Sequence, residues 1–340
     1  MVSISTIIAS YHTGKKMVIK ESVEDYLESV KLARSAHTAR TYRNAMNRFI
    51  NSLTNNGINI DQDPPGALNE DTIVFFANDL KNNSATTEQL YIIAVKGFFE
   101  YLSAENLSTI NLPKLKLLIR QRTRRPGKRL PQFPANAIRN LIESLMNQDI
   151  SSNNDDLYLN LREMRDRAFL ITLADTGLRV HEACNLRRGD IDWSEGRAQI
   201  IGKGNKEAIV RFSRRSQKAI KDYLQLRASL DGVSGKQLAA LPLFARHDKG
   251  AGMKIKPMTP TTGRNIVTDK VRQFLGEEMV GRITPHSFRH YFVTRILIST
   301  GNLKLAQSLA RHQNIAVTQR YAHLSDNELD KGYWNVFEEK

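Results

Sequence analysis

A mainly α-helical protein in two domains is what the sequence predicts, and three observations lead there. The chain has 340 residues, more than one hydrophobic core comfortably fills, so two compact units are the natural division. Apolar residues recur at helical spacing through the first half. Period-two alternation, the mark of a strand, stands out at residues 196–212 and predicts a small antiparallel β-sheet inside a mostly helical second domain.

Residues 1–17 carry the short apolar patch Thr6-Ile7-Ile8-Ala9 followed by Lys15 and Lys16. That order is the reverse of a secretory signal, so a flexible arm is expected. Residues 18–107 read as a bundle of about four helices. Val23, Tyr26, Leu27 and Val30 mark the first, and Tyr42, Met46, Phe49, Ile50 and Leu53 the second. Asn69 or Asp71 can cap a third carrying Ile73, Phe75, Phe76 and Leu80, and Ser84 a fourth carrying Leu90, Ile93, Phe98, Phe99 and Leu102. Asn56-Gly57 and Pro64-Pro65-Gly66 interrupt regular structure between them.

The helical pattern breaks over residues 108–132, where Lys114, Lys116, Arg120, Arg122, Arg124, Arg125, Lys128 and Arg129 crowd around Pro113, Pro126 and Pro131. A basic linker between domains is expected here, and such a run is either a solvated tail or a strap along phosphates. Residues 133–340 form the second domain. Within it, Gly196–Ile201 and Glu207–Phe212 alternate and flank Gly202-Lys203-Gly204-Asn205-Lys206, predicting a β-hairpin with Lys203 at its tip. Pro285 suits the first turn of a later helix.

The formal net charge of +15 and pI near 9.9 favour a polyanionic partner, since each phosphate neutralised by Lys or Arg releases counterions. No apolar run reaches the roughly 18 residues that span a bilayer, and a cytoplasmic location is expected. The single cysteine, Cys184, excludes an internal disulfide framework and reads as buried packing.

Four separated pieces carry candidate chemistry: Thr176-Gly177-Leu178-Arg179-Val180-His181-Glu182; Gly202-Lys203-Gly204; Pro285-His286-Ser287-Phe288-Arg289-His290; and Ala310-Arg311-His312 followed by Tyr321. His286 and Arg289, three apart on one helix, share a face and can address one phosphate. His286 and His290 could instead form a metal pair, but Ser287 stands where a zincin needs Glu and no third ligand is evident, so no metal is expected. Arg179 and Glu182 alone would read as a surface ion pair. Two planar guanidinium forks, Arg179 and Arg289, can stabilise the charge of a crowded phosphoryl group without a metal.

The order Arg, Lys, His-x-x-Arg, His, Tyr and its spacings resemble the tyrosine recombinase (phage integrase) family over about Lys20 to Tyr333, and by layout its compact two-domain, chromosome-dimer-resolution type. The resemblance implies a SAM-like, core-binding helical domain followed by a catalytic domain. It implies an enzyme that cuts and rejoins duplex DNA at specific sites, with Tyr321 as nucleophile forming a 3′-phosphotyrosine that stores the bond energy, so that no cofactor is needed. Lys203 would be the general acid for the 5′-oxygen, with Lys206 its rival. His286 and His312 would bind phosphoryl oxygens and assist proton movement. In the first domain Thr38, Arg40, Thr41, Arg43 and Arg48 would contact DNA, as would Arg122, Arg124 and Arg125 in the linker. The implied assembly is a homotetramer on DNA, or a hetero-tetramer with a paralogue, passing through a Holliday junction.

Two departures from the family pattern stand out. Phe288 replaces the usual Leu, one large apolar side chain for another. Arg311 replaces the usual Gly before His312, putting a long cation where the backbone otherwise approaches closely. Beyond Tyr321 the tail is apolar at roughly helical intervals (Leu324, Leu329, Tyr333, Trp334, Val336 and Phe337) and acidic (Asp326, Glu328, Asp330, Glu338 and Glu339). Such a segment suits a groove on a neighbouring subunit, the alternative being docking onto its own domain. A type IB topoisomerase shares the Tyr nucleophile and its cationic helpers, and a catalytically inactive DNA-binding relative is the non-enzymatic alternative.

Overall fold

The computed structural model describes residues 17–124, 134–150, 156–201, 207–248, 250–252 and 254–312. The chain divides into two compact units, residues 1–129 and 130–340. It is mainly helical, with one small antiparallel sheet among the described residues.

The first unit contains helices α1 (Ile19–Ala33), α2 (Ala36–Asn55), α3 (Thr72–Asp79), α4 (Ala85–Ala104) and α5 (Leu112–Arg122). Ser35 and Ser84 cap α2 and α4, accepting the backbone N–H of Thr38 and Thr87 at 3.3 and 3.1 Å. The buried stripes meet around Phe49, whose ring packs edge-on against Phe76 at 5.2 Å and Phe99 at 5.9 Å. Phe75, Leu90 and Ile93, expected with the core residues of their helices, face outward instead. A Cβ on Gly97 would lie 2.5 Å from Tyr26 Oη, so α1 and α4 meet over a glycine. Tyr26 uses that approach to donate its hydroxyl to the Ala94 carbonyl at 2.8 Å.

The linker expected over 108–132 is corrected in its first half. Residues Leu112–Arg122 are helix α5, with Leu115 fully buried in the first unit's core. Asn111 caps it by accepting the Lys114 N–H at 3.0 Å, and Pro113 sits in the first turn, where the missing N–H is harmless. Lys114 reaches back to Asp71 at 3.2 Å.

Arg124, expected on DNA, is held against the first unit while its side chain stays 43% exposed. Its Nε donates to Glu88 at 2.6 Å and its Nη2 to the Asn83 carbonyl at 2.7 Å. The Glu88 side chain is fully buried and also accepts the Arg124 backbone N–H at 2.9 Å and Lys81 at 3.0 Å. Burial would raise this carboxyl, but those donors hold it below the usual carboxylate range. Arg125 lies outside the described residues.

The second unit contains α6 (Ala135–Asn147), α7 (Leu157–Thr176), α8 (Val180–Asn185), strands β1 (Ile191–Asp192), β2 (Arg197–Ile201) and β3 (Glu207–Arg211), then α9 (Arg214–Leu226), α10 (Ala228–Gly232), α11 (Pro260–Leu275), α12 (Pro285–Thr300) and α13 (Leu303–Ala310). The sheet order is β1-β2-β3, antiparallel throughout, with Ala198 opposite Val210 and Ile200 opposite Ala208. Alternation places Ala198, Ile200 and Val210 on the buried face. Helix α7 runs through the core, and Phe169 packs edge-on against Phe244 at 5.2 Å. Cys184 is fully buried and its thiol is pushed up to about 12 by that burial. No helix among the described residues is long and apolar enough to cross a membrane.

Arg124→Ala should destabilise the first unit by about 2 kcal/mol, because Glu88 keeps its burial but loses a charged donor. The contribution should vanish as pH falls, since a carboxyl held low in the folded state loses its advantage once protonated. Urea denaturation of wild type and variant at neutral and acidic pH checks both; equal midpoints at neutral pH would contradict the staple.

Candidate active site

The site is built on the turn that ends α7 and starts α8. Gly177 closes α7 in the left-handed region, φ 61°, and its N–H bonds the Leu173 carbonyl at 3.2 Å. A Cβ there would meet the Phe292 ring at 2.4 Å, so conformation and space both require glycine. Leu178 anchors the turn in the core. Arg179 then becomes the N-cap of α8. Its backbone N–H donates to Glu182 Oε2 at 2.9 Å and its Nη1 to Oε1 at 2.8 Å. The Glu182 side chain is 1% exposed while that of Arg179 is 38% exposed. A buried carboxylate therefore holds a guanidinium whose outer edge faces solvent. Burial would raise the Glu182 carboxyl; Arg311 and the Arg179 backbone and side chain keep it below its ordinary range.

Helix α12 supplies the second guanidinium. Its start is fixed by Pro285 in the first turn and by Ser287 Oγ, which accepts the Thr284 N–H at 3.0 Å. Arg289 is buried, donating through Nη1 to the Gly177 carbonyl at 2.5 Å and through Nη2 to the Ala310 carbonyl. It thereby ties the end of α7 to the end of α13. His286 and His290, one turn apart, meet edge to face with ring centroids 4.3 Å apart. His312 follows α13, with its N–H on the Gln307 carbonyl at 3.1 Å.

The imidazoles share an electrostatic environment. Partial desolvation, then the cationic Arg289 and Arg179, lower His286. Desolvation with His286 and Arg289 lowers His290 to about 4, and desolvation with Arg289, Arg179, His286 and His290 lowers His312 to about 4. At neutral pH these rings are neutral, each able to donate one N–H and accept at the other nitrogen.

The described structure thus brings together Arg179, His286, Arg289 and His312. Lys203 and Tyr321 lie outside the described residues. No group of three or more His, Cys, Asp or Glu among the described residues is placed to hold a metal.

Models of known families match both units. The phage integrase family matches residues 140–328, and the phage integrase N-terminal SAM-like domain matches residues 23–106. The chain belongs to the phage integrase family. It is a tyrosine-type site-specific recombinase. The recombinase is 29% identical over 316 residues to tyrosine recombinase XerC of Staphylococcus epidermidis, covering 92% of this chain and 96% of that protein. Its fold is that of XerH site-specific recombinase in a post-cleavage complex with palindromic difH substrate (TM-score 0.62, 17% identity, 96% of this chain and 92% of that chain). It is equally that of the Tn1549 transposon integrase in complex with transposon right end DNA (TM-score 0.62, 18% identity, 94% and 99%).

In the recombinase's first unit, Arg40, Arg43 and Arg48 stand exposed on α2. The two threonine hydroxyls are engaged locally, Thr38 with Ser35 Oγ at 3.0 Å and Thr41 with the His37 carbonyl at 3.0 Å. Arg122 is exposed. Sequence reasoning missed Asn44, Asn47 and Asn51, which line a polar cleft with Arg48, Asn83 and Tyr91; their spacing of three and four was the available signal. It paired His290 with His286 only as a metal site, and it missed the Gly177 carbonyl as a shared acceptor, which no side-chain pattern reveals.

Unfolded imidazoles titrate at about 6.5, so between there and about 4 the folded recombinase binds fewer protons than the unfolded chain. Its stability should fall as pH drops through that window, with buried His247, lowered to about 3, acting in the same direction. Denaturation midpoints measured from about pH 7.5 to 5 should decline, and His312→Asn should flatten part of the slope. A profile level over that range would contradict the neutral cluster.

Proposed function

We propose that the recombinase cuts and rejoins duplex DNA by transesterification at Tyr321. The observation that carries this reading is the convergence of Arg179, Arg289, His286 and His312 on the Gly177–Glu182 turn, neutral imidazoles beside two fixed cations. The Tyr321 oxygen attacks phosphorus, a 3′-phosphotyrosine bond forms, and the bond to the 5′-oxygen breaks. The departing 5′-oxygen takes a proton from Lys203, which falls in sequence between the paired strand ends Ile201 and Glu207. The tyrosine proton passes to a neutral imidazole of the cluster. Arg179, with its exposed edge, and Arg289 meet the charge that builds on the phosphoryl oxygens. Rejoining is the reverse, with a new 5′-hydroxyl as attacker, so no nucleotide is consumed.

Duplex DNA carrying specific sites is the proposed substrate. Phosphate and base contacts are assigned to Arg40, Arg43, Arg48 and Arg122, all exposed. Arg125 is assigned with them by sequence alone, and Thr38 and Thr41 keep spare acceptor capacity. The proposed assembly is a homotetramer, or a hetero-tetramer with a paralogue, in the cytoplasm. A groove lined by Phe292, Ile296, Leu305 and Leu309, with Arg295 at its side and Arg215 paired to Asp175, suits the apolar, acidic residues 322–340 of a neighbouring subunit; that tail lies outside the described residues. The domain limits proposed are 18–122 for the core-binding domain, carried past the expected 107 to include α5, and 133–340 for the catalytic domain.

Tyr321→Phe should abolish the covalent protein–DNA adduct, read as a shifted band on denaturing gels, while specific binding changes by no more than about threefold. Adduct retained in that variant would sink the nucleophile assignment. Deleting residues 327–340 should weaken synapsis of two sites more than binding of one, measured by gel shift under matched conditions. Normal recombination by the shortened protein would remove the inter-subunit role of the tail.

A further inference from the structure

Arg311 occupies a backbone conformation that ordinarily selects glycine. It ends α13 at φ 57°, ψ 41°, and only it and Asn106 among the described non-glycine residues have positive φ. The side chain does not compensate by reaching solvent: it is 13% exposed. Its Nη2 lies 3.1 Å from Glu182 Oε2 and 3.5 Å from the Gly177 carbonyl. A disfavoured backbone and a largely buried cation therefore both serve one contact, with the carboxylate that holds Arg179.

The division of Glu182's two oxygens shows what that contact does. Oε1 accepts Arg179 Nη1, while Oε2 accepts the Arg179 backbone N–H and Arg311 Nη2. A guanidinium and a carboxylate left to themselves prefer two parallel N–H···O bonds. Here the second oxygen is already occupied from two directions, so Arg179 is held by one edge only. We infer that Arg311 is a positioning residue for strand cleavage: by filling Glu182 Oε2 it keeps Arg179 singly bonded, with its remaining N–H groups and most of its charge turned to the scissile phosphate. Because Arg311 precedes His312 and shares the Gly177 carbonyl with Arg289, the same contact locks the end of α13 to the turn carrying Arg179. The inference rests on the catalytic reading of Arg179 and Tyr321 given above.

With glycine at 311, the backbone is relaxed and Oε2 gains a free lone pair. Arg179 can then rotate into a two-bond pairing with Glu182, which withdraws donors from the phosphate. The change should harm catalysis while altering stability little, because relief of the left-handed backbone offsets the loss of one charged donor to Glu182.

The test uses full-length protein and a duplex recovered from a randomised pool by covalent capture on the wild type. Arg311→Gly should cleave that duplex about tenfold more slowly in single turnover, a fraction of the loss seen when a transition-state donor is removed outright. Binding should change by less than about threefold and the thermal midpoint should shift by no more than about 4 °C, backbone relief offsetting the lost donor. Arg311→Lys should recover part of the rate, since an ammonium can still occupy Oε2. In a Glu182→Gln background the Arg311→Gly loss should shrink, because the charge that made the pairing attractive is gone. A methylphosphonate at the scissile position, which removes the charge Arg179 answers, should narrow the gap between wild type and Arg311→Gly. Cleavage by Arg311→Gly at the wild-type rate, or an equal loss on the phosphodiester and the methylphosphonate, would overturn the proposal alone. Failure of the wild type to capture any duplex through Tyr321 would overturn the catalytic reading and this proposal with it.

Discussion

The catalytic unit depends on one buried carboxylate. Glu182 takes the first turn of α8, the guanidinium of Arg179 and the guanidinium of Arg311 onto two oxygens, at 1% exposure. An isolated charge so deep would be strongly disfavoured, and the arrangement stands because both oxygens accept from charged or backbone donors, three in all. Around it the Gly177 carbonyl plays the complementary part for Arg289. An acceptor pair a few residues apart in sequence thus organises cations drawn from α8, α12 and the end of α13. Cations alone would repel one another; the carboxylate and the carbonyl hold them against one turn of chain.

The net charge of +15 overstates what the chain can offer a polyanion. Arg124 and Lys81 close on Glu88, Lys114 on Asp71, Lys270 on Glu163 at 2.6 Å, and Arg227 is fully buried. Lys270 and Arg227 are sealed from solvent, and the others divide their charge between a carboxylate and water. Arg40, Arg43, Arg48 and Arg122 are among the cations that stand outward, so the slope of any salt dependence should fall below what the formal count suggests.

Elements set by local periodicity were legible in the sequence. The hairpin emerged from alternation alone, and the buried stripes of α1, α2 and α4 from helical spacing. The error over 108–132 came from treating Pro113 as an interruption when it opens a helix, and from counting charge without partners. Glu88 is 36 residues from Arg124, and nothing local announces that pairing. Of the candidate site, the sequence supplied residue types and their order, and the structure brings Arg179, His286, Arg289 and His312 together. Its geometry was not legible, because the acceptors that gather Arg289 are backbone carbonyls, invisible to any reading of side chains. Arg311 could be seen to depart from the family pattern, yet its role depended on the two-oxygen division at Glu182.

The chain's only thiol is sealed in the catalytic unit, packed near Val180 and Gly263, with a pKa near about 12. At neutral pH it carries essentially no thiolate, and maleimides or disulfide probes have no approach to it. The native sequence therefore behaves toward such reagents as a cysteine-free background. Single cysteines introduced on exposed faces of either unit can carry fluorophores or spin labels without first removing Cys184, leaving the packing of α8 against α11 undisturbed while distances between the units are measured in solution.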